Sequence, residues 1–242
     1  MTKTWCSVAG GSTRISRTTD APRVDAGAHQ RLNASIVSTT SPLTLTPVTL
    51  AGTHTTLVPL SPDHAPALAE AARDGELWRL WYTTVPHPDQ MVREIDRRLG
   101  LLAANSMLPF TVLDASGTPV GMTTYMNVDA VNRRVEIGST WYAARVQRSG
   151  LNTNCKLLLL GHAFDALDCI AVEFRTHVLN TQSRRAIERL GAKQDGILRS
   201  HMRMPNGTVR DTVVYSVIAN EWPTVQAHLR WQLERPRGTG GR

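Results

Sequence analysis

The chain has 242 residues, a formal net charge of +7, three cysteines and 41% apolar residues. That length can bury a real core, and Cys6, Cys155 and Cys169 lie far apart with no CxxC pair or Cys/His cluster, which excludes zinc ribbons and disulfide scaffolds. The longest apolar run, Leu157–Leu160, is far too short for a membrane span, and residues 1–30 hold no apolar signal segment, so a reduced cytoplasm and no membrane partner are expected.

Residues 1–42 are rich in Ser, Thr, Gly and Arg, carry a net +3 and lack spaced apolar residues. Such a composition does not offset its ordering entropy and reads as a flexible basic leader. Residues 43–235 read as one domain. Thr53–Leu60 predicts a strand closed by Pro59 and Pro62, and Ser61-Pro62-Asp63 opens a helix with Ser61 as cap. An aromatic segment with Trp78, Trp81 and Tyr82 leads to a second helix from Pro88-Asp89, where Met91, Val92, Ile95, Leu99 and Leu102 recur at helical spacing. Strands follow at Phe110–Leu113, at Pro119–Asn127 with a period of two, and at Arg133–Tyr142. In the last, Val135 and Ile137 share one face while Arg134, Glu136 and Gly138 share the other.

Thr153–Leu167 is a strongly apolar helix, Ile170–His177 a strand, and Thr181–Leu190 a helix with Ala186, Ile187 and Leu190 inward. Ile197–Met204 and Thr212–Ala219 flank the turn Pro205-Asn206-Gly207, and Trp222, Val225, Leu229 and Leu233 mark a C-terminal helix. Residues 236–242 form a tail. The order βααβββαβαββα predicts an α+β fold, a mixed and mostly antiparallel sheet with helices on both faces. Residues 230–242 carry another +3, so the middle of the chain is nearly neutral and the charge does not argue for nucleic acid as a main partner.

The segment RVEIGSTWYAARVQRSGLNTNCK, from Arg134 to Lys156, ends a strand, loops through Gln147–Asn152 and starts a helix. Unpaired N–H groups at a helix start favour an anion, and Arg145, Arg148 and Lys156 add positive charge nearby. On this segment alone a pyrophosphate cradle and an ordinary strand-to-helix turn stay open. Gln147 and Gly150 fit the Gln/Arg-x-x-Gly-x-Gly/Ala motif of the GNAT N-acetyltransferases, with Asn152 in place of the final small residue. Asn180 through Ala192, with Leu190-Gly191-Ala192 at its end, resembles the second signature of that superfamily. The Asn-Thr after Gly150-Leu151, the strand Phe174-Arg175-Thr176-His177 and the Arg-Asp at Asp211 resemble its RimJ/RimL branch.

The resemblance implies acetyl-CoA as cosubstrate in a cleft between two splayed parallel strands, and no metal. It implies pantetheine pairing with the backbone of Ser139, Thr140 and Trp141. The pyrophosphate would be held by N–H groups of Arg148, Ser149, Gly150, Leu151, Asn152 and Thr153, with Gln147 as the motif's first residue and Asn180 at the pantetheine. It implies direct attack of a primary amine, from a protein N-terminus or a small molecule, on the thioester, with Glu136 as candidate base and Ser183 bonding the leaving thiolate. A strand Glu paired with Arg133, Arg134 or Arg175 is the competing reading of Glu136. The tyrosine that many members carry on the second-signature helix is absent, because Ile187 stands there. That leaves Tyr125, Tyr142 and Tyr215 as unranked acids. Trp81, Tyr82 and His177 are candidates for the acceptor wall. The resemblance admits a homodimer, and the alternative function is a non-catalytic acyl-CoA sensor.

Overall fold

Strands form where Thr, Val, Ile and Met gather between turn residues, and eight of them pair into one sheet in a computed structural model that describes residues 43–235. The expected leader 1–42 and tail 236–242 lie outside the described residues. In chain order the elements are β1 (Leu50–Ala51), β2 (Thr55–Pro59), α1 (Ala65–Arg73), α2 (Met91–Ala103), β3 (Met107–Asp114), β4 (Pro119–Asp129) and β5 (Arg134–Tyr142). They continue with α3 (Leu151–Gly161), β6 (Ala171–His177), α4 (Thr181–Glu188), β7 (Lys193–Arg203), β8 (Val209–Ile218) and α5 (Trp222–Glu234). The sheet order is β1-β2-β3-β4-β5-β6-β8-β7, and only β5 and β6 pair in parallel. This is the α+β architecture expected.

Ser61 caps the turn leading into α1, its side chain accepting the Asp63 N–H, with Pro62 in the first position. Helices α1 and α2 pack on β4 and β3 from one side of the sheet. Helix α3 lies on the other side: the Tyr125 hydroxyl donates to the Leu159 carbonyl, while Thr111, on the opposite face, meets His64 at 2.7 Å. Covered from both sides, β4 is buried continuously from Val120 to Tyr125, so its period-two pattern carries no water-facing side. By contrast the edge strand β7 is exposed over nearly its whole length.

Strands β3 and β8 begin at Met107 and Val209, before their expected starts, and other details differ as well. Helix α3 begins at Leu151, two residues early, and passes into a π turn at His162–Ala166. Strand β7 begins at Lys193 because it pairs with β8 from Lys193↔Ser216 onward. The short β1 has no local signal of its own. Its hairpin with β2 is pinned from outside by Asn154 of α3, whose Oδ1 accepts the N–H groups of His54 at 2.9 Å and Thr55 at 3.2 Å. A Cβ at Gly52 would sit 2.4 Å from that oxygen, so a side chain there would push Asn154 away from the hairpin.

Candidate active site

Strands β5 and β6 pair at three positions only, Arg134↔Ala171, Val135↔Val172 and Glu136↔Glu173. Beyond Glu136 they part, because β6 follows β8 up to His177↔Thr212 while β5 follows β4. A V-shaped opening with unpaired strand edges results, the splay implied by the resemblance.

Two bulges flank the point of divergence. On β4 an extra residue falls between Met126 and Asp129, where Asn127 takes a left-handed φ of 47°. On β5 an extra residue falls between Gly138 and Trp141, where Ser139 also has φ 47°. Bulges re-aim side chains, and the one on β4 brings Asn127 to Glu136. Asn127 Nδ2 donates to Glu136 Oε2 at 2.7 Å, and Arg175 Nε lies 3.4 Å from the same oxygen. The other oxygen, Oε1, accepts no hydrogen bond among the described residues and lies over Gly138, where a Cβ would come within 2.9 Å of it. Glu136 is 5% exposed. Burial pushes its carboxyl above the usual range, against the opposing pull of Asn127 and Arg175. The expected competing ion pair thus exists for Arg175, whereas Arg134 pairs with Glu173 and Arg133 with Asp168. Arg98 of α2, paired with Glu94 at 2.7 Å, donates to the Ser139 carbonyl at 3.4 Å and ties the β5 bulge to the helix above it.

After β5 the chain turns through a left-handed Arg148 (φ 58°), while Gly150 is right-handed at φ −68°. The conformational demand therefore falls on Arg148 and not on Gly150. No side chain caps α3 at Gly150. Ser149 Oγ accepts the Leu151 N–H at 3.2 Å, and the first intrahelical bond runs from Asn154 N–H to the Gly150 carbonyl. The N–H groups of Asn152 and Thr153 find no acceptor among the described residues. The side chains here are engaged elsewhere. Gln147 Nε2 donates to the Tyr142 carbonyl at 3.0 Å, Asn152 accepts the Tyr142 hydroxyl at 3.1 Å, and Thr153 accepts Arg189 at 3.1 Å. Only backbone donors and the exposed Arg148 are left for a ligand.

After β6, Asn180 Oδ1 caps α4 by accepting the Ser183 N–H at 3.0 Å, and the Ser183 hydroxyl has no hydrogen bond among the described residues. His177 Nδ1 accepts the Leu179 N–H at 3.0 Å, which assigns the proton to Nε2; that atom is buried without a partner. Trp81, 47% exposed, sets its ring edge-on to His177 with centroids 5.3 Å apart, and Tyr82 packs on Trp81 at 5.7 Å. The three acceptor-side candidates are therefore brought together.

Each of the three candidate tyrosine acids has a partner for its hydroxyl. Tyr125 donates to Leu159 O, Tyr142 to Asn152, and Tyr215 to Glu188 at 2.7 Å while receiving Arg184. Lys156, expected beside the pyrophosphate, is buried instead with Nζ 3.1 Å from Thr140 Oγ1. Arg175 was among the expected partners of Glu136, whereas Asn127 and Gly138 as its supports were not assigned from sequence. Their only signal was a Gly two residues after the Glu. No group of three or more His, Cys, Asp or Glu able to hold a metal occurs among the described residues, and no described helix is long and apolar enough to cross a membrane.

Residues 54–193 match the acetyltransferase (GNAT) domain family. The Bacillus subtilis (strain 168) protein named "Putative ribosomal N-acetyltransferase YdaF" is 35% identical over 106 residues, which is 44% of this chain and 57% of that protein. A GCN5-related N-acetyltransferase from Brucella melitensis superposes with TM-score 0.72 at 28% identity, over 81% of this chain and 90% of that one. Mycobacterium smegmatis RimJ, solved with CoA-disulfide, shares the fold at TM-score 0.67 and 20% identity, over 77% and 95%. With its single parallel strand pair splayed between two signature loops, the chain belongs to the GNAT acetyltransferase family.

Proposed function

We propose that this chain is an acetyl-CoA-dependent N-acetyltransferase that moves the acetyl group to a primary amine by direct attack on the thioester. Family membership supports the reaction class, and the ribosomal designation of the B. subtilis relative favours a protein N-terminus as acceptor. Two buried free thiols, Cys155 and Cys169, suit a reducing cytoplasm. The observation that carries the reading is Glu136. It is a buried carboxylate with one oxygen held by Asn127 and Arg175 and the other free over Gly138, where the parallel strands part.

In this reading the pantetheine pairs with the β5 edge at Ser139, Thr140 and Trp141. The pyrophosphate takes the open N–H groups of the Arg148–Thr153 turn, with Gln147 bracing the strand end behind it. Asn180, its Oδ1 engaged as a cap, offers Nδ2 to the pantetheine. The acceptor lies against Trp81 and Tyr82, and the buried Nε2–H of His177 donates to its first carbonyl. Glu136 Oε1 removes a proton from the incoming ammonium, the amine attacks the acetyl carbon, and Ser183 donates a hydrogen bond toward sulfur as the C–S bond breaks.

A sensor that binds acyl-CoA without turnover is the second reading, favoured by Ile187 and by three tyrosines whose hydroxyls already have partners. Thermal unfolding with acetyl-CoA at about 100 times its Kd should gain roughly 2.7 kcal/mol under either reading, and its absence removes both. Thiol release over a panel of amines and N-terminal peptides then separates them. Glu136→Gln should lower kcat about 10²–10⁴-fold at neutral pH and recover in part at higher pH. An unchanged pH–rate profile removes Glu136 from the mechanism.

A further inference from the structure

The reaction needs a proton for the departing thiolate, and the tyrosine hydroxyls that could supply it are engaged elsewhere. On the α3 side of the V lies a cation that the fold itself does not explain. Lys156 is buried, and its Nζ touches Thr140 of β5 at 3.1 Å and lies 6.0 Å from the centre of the Phe174 ring of β6. Both residues stand beyond the last paired positions, Glu136 and Glu173, so the ammonium bridges the floor of the opening where the strands have parted.

Its surroundings are neutral. Thr140 Oγ1 is shared with Thr123 Oγ1 at 2.7 Å and with the Gly138 carbonyl, and one ammonium proton is engaged there while two have no protein acceptor among the described residues. The titratable neighbours are Cys155 on the same helix and, beside it, Tyr142 of β5. Burial pushes both above their usual range, so both are uncharged at neutral pH. No carboxylate pairs with Lys156 among the described residues. An ammonium buried without a counter-charge costs several kcal/mol, which an inert packing position would avoid by carrying Leu or Met.

We propose that Lys156 is the general acid of this enzyme, donating a proton from Nζ to the sulfur of the departing coenzyme A. The assignment rests on the acetyl-CoA reading above. The amine nitrogen bonds to the acetyl carbon, the C–S bond breaks with its electron pair on sulfur, and Lys156 gives that sulfur a proton. Of the two protons lost by the incoming ammonium, Glu136 passes one to water and the other replaces the one Lys156 gave. Burial also lowers the lysine pKa toward that of a thiol, which suits a donor to thiolate. The two proton carriers are thus separate groups, Glu136 held by β4 and β6 and Lys156 presented by α3.

The experiment compares wild type, Lys156→Met and Lys156→Arg, the last keeping the charge while being unable to release a proton. Acetyl-CoA should still raise the unfolding temperature of both variants, showing folded protein and bound cosubstrate. Turnover kcat should fall about 10²-fold or more in both. At saturating substrates wild-type kcat should decline on the alkaline side below the ordinary lysine range, and Lys156→Arg should lose that decline. An Arg variant with wild-type kcat overturns the proposal alone, since charge without proton transfer would then suffice. A wild type with neither a thermal shift nor turnover overturns the cosubstrate reading and this proposal with it. Should neither variant fold, the wild-type profile decides, and a flat kcat from about pH 7 to 10 overturns it.

Discussion

The joints from β5 to α3 and from β6 to α4 flank the same opening and are finished in opposite ways. At α4 the side chain of Asn180 closes the helix end by accepting the Ser183 N–H, and the Asn180 N–H donates to the His177 carbonyl. At α3 Ser149 Oγ takes only the Leu151 N–H, Asn152 and Thr153 turn to Tyr142 and Arg189, and Gly150 has no side chain to offer. A missing cap costs about 1 kcal/mol, and a fold tolerates that where a ligand supplies the acceptors. The difference leaves consecutive N–H groups at the start of α3, of Asn152 and Thr153, open to an acceptor. The two signatures are equally visible in sequence, yet among the described residues the first leaves two consecutive N–H groups open, of Asn152 and Thr153, against one, of Gln182, at the second.

The comparison breaks most readily at Ser149. Ser149→Asp places a carboxylate at the open end of α3, where the helix dipole welcomes it by about 0.3–1 kcal/mol. Unfolding temperature should hold or rise while KM for acetyl-CoA increases about tenfold or more, the equivalent of at least 1.4 kcal/mol of lost affinity. An unchanged KM would show that the open end takes no anion. Asn180 sharpens the other half. Asn180→Ala should cost about 1 kcal/mol of stability, which Asn180→Asp should restore by keeping the acceptor. A rise in KM of about fivefold that persists in Asn180→Asp belongs to the lost Nδ2 donor.

Smaller effects follow for exposed or already strained groups. Arg148→Ala should raise KM only about twofold at low salt, and the difference should vanish near 1 M salt, where the Debye length is about 3 Å. Glu136→Gln should not lower the unfolding temperature despite its loss of turnover. Because the folded state raises the Glu136 pKa above its unfolded value, the ionised carboxylate subtracts stability at neutral pH. That loss fades as pH falls through the raised pKa. Gln removes the charge, so a clear fall in unfolding temperature would instead mark Glu136 as a structural partner of Arg175. The same shift places the acid limb of wild-type kcat above the ordinary carboxylate range, since the base must be ionised to act.

Much of the fold was legible because each element carries its own signal. Ser61-Pro62 starts a helix by capping chemistry, the period of Met91, Ile95 and Leu99 states a helix, and the turn at Asn206-Gly207 fixes a hairpin. Strand β1 has no local signal because Leu50–Ala51 only pairs with β2, across a turn whose His54 and Thr55 N–H groups are held by Asn154, about a hundred residues away. Glu136 could be picked out by its distance from the signature loop, but its environment could not. Asn127 reaches it only through a bulge on the neighbouring strand, and Arg175 only through the parallel pairing. Lys156 was read as one more cation beside the phosphates, since helical spacing does not say which way a side chain turns at a helix start.

What the sequence determined by itself was local: strand and helix propensities, caps, the two signature loops, and a charge of +7 gathered largely in the chain ends. These rest on interactions within a few residues, or on motifs whose spacing is fixed by a single strand-to-helix turn. Only the tertiary structure decided which carboxylate is buried and half free, which helix end stays open, and which lysine lies between parted strands without a counter-charge. Burial, bulge register and the reach of one side chain to another element depend on contacts between distant segments, and those exist only once the sheet has closed around them.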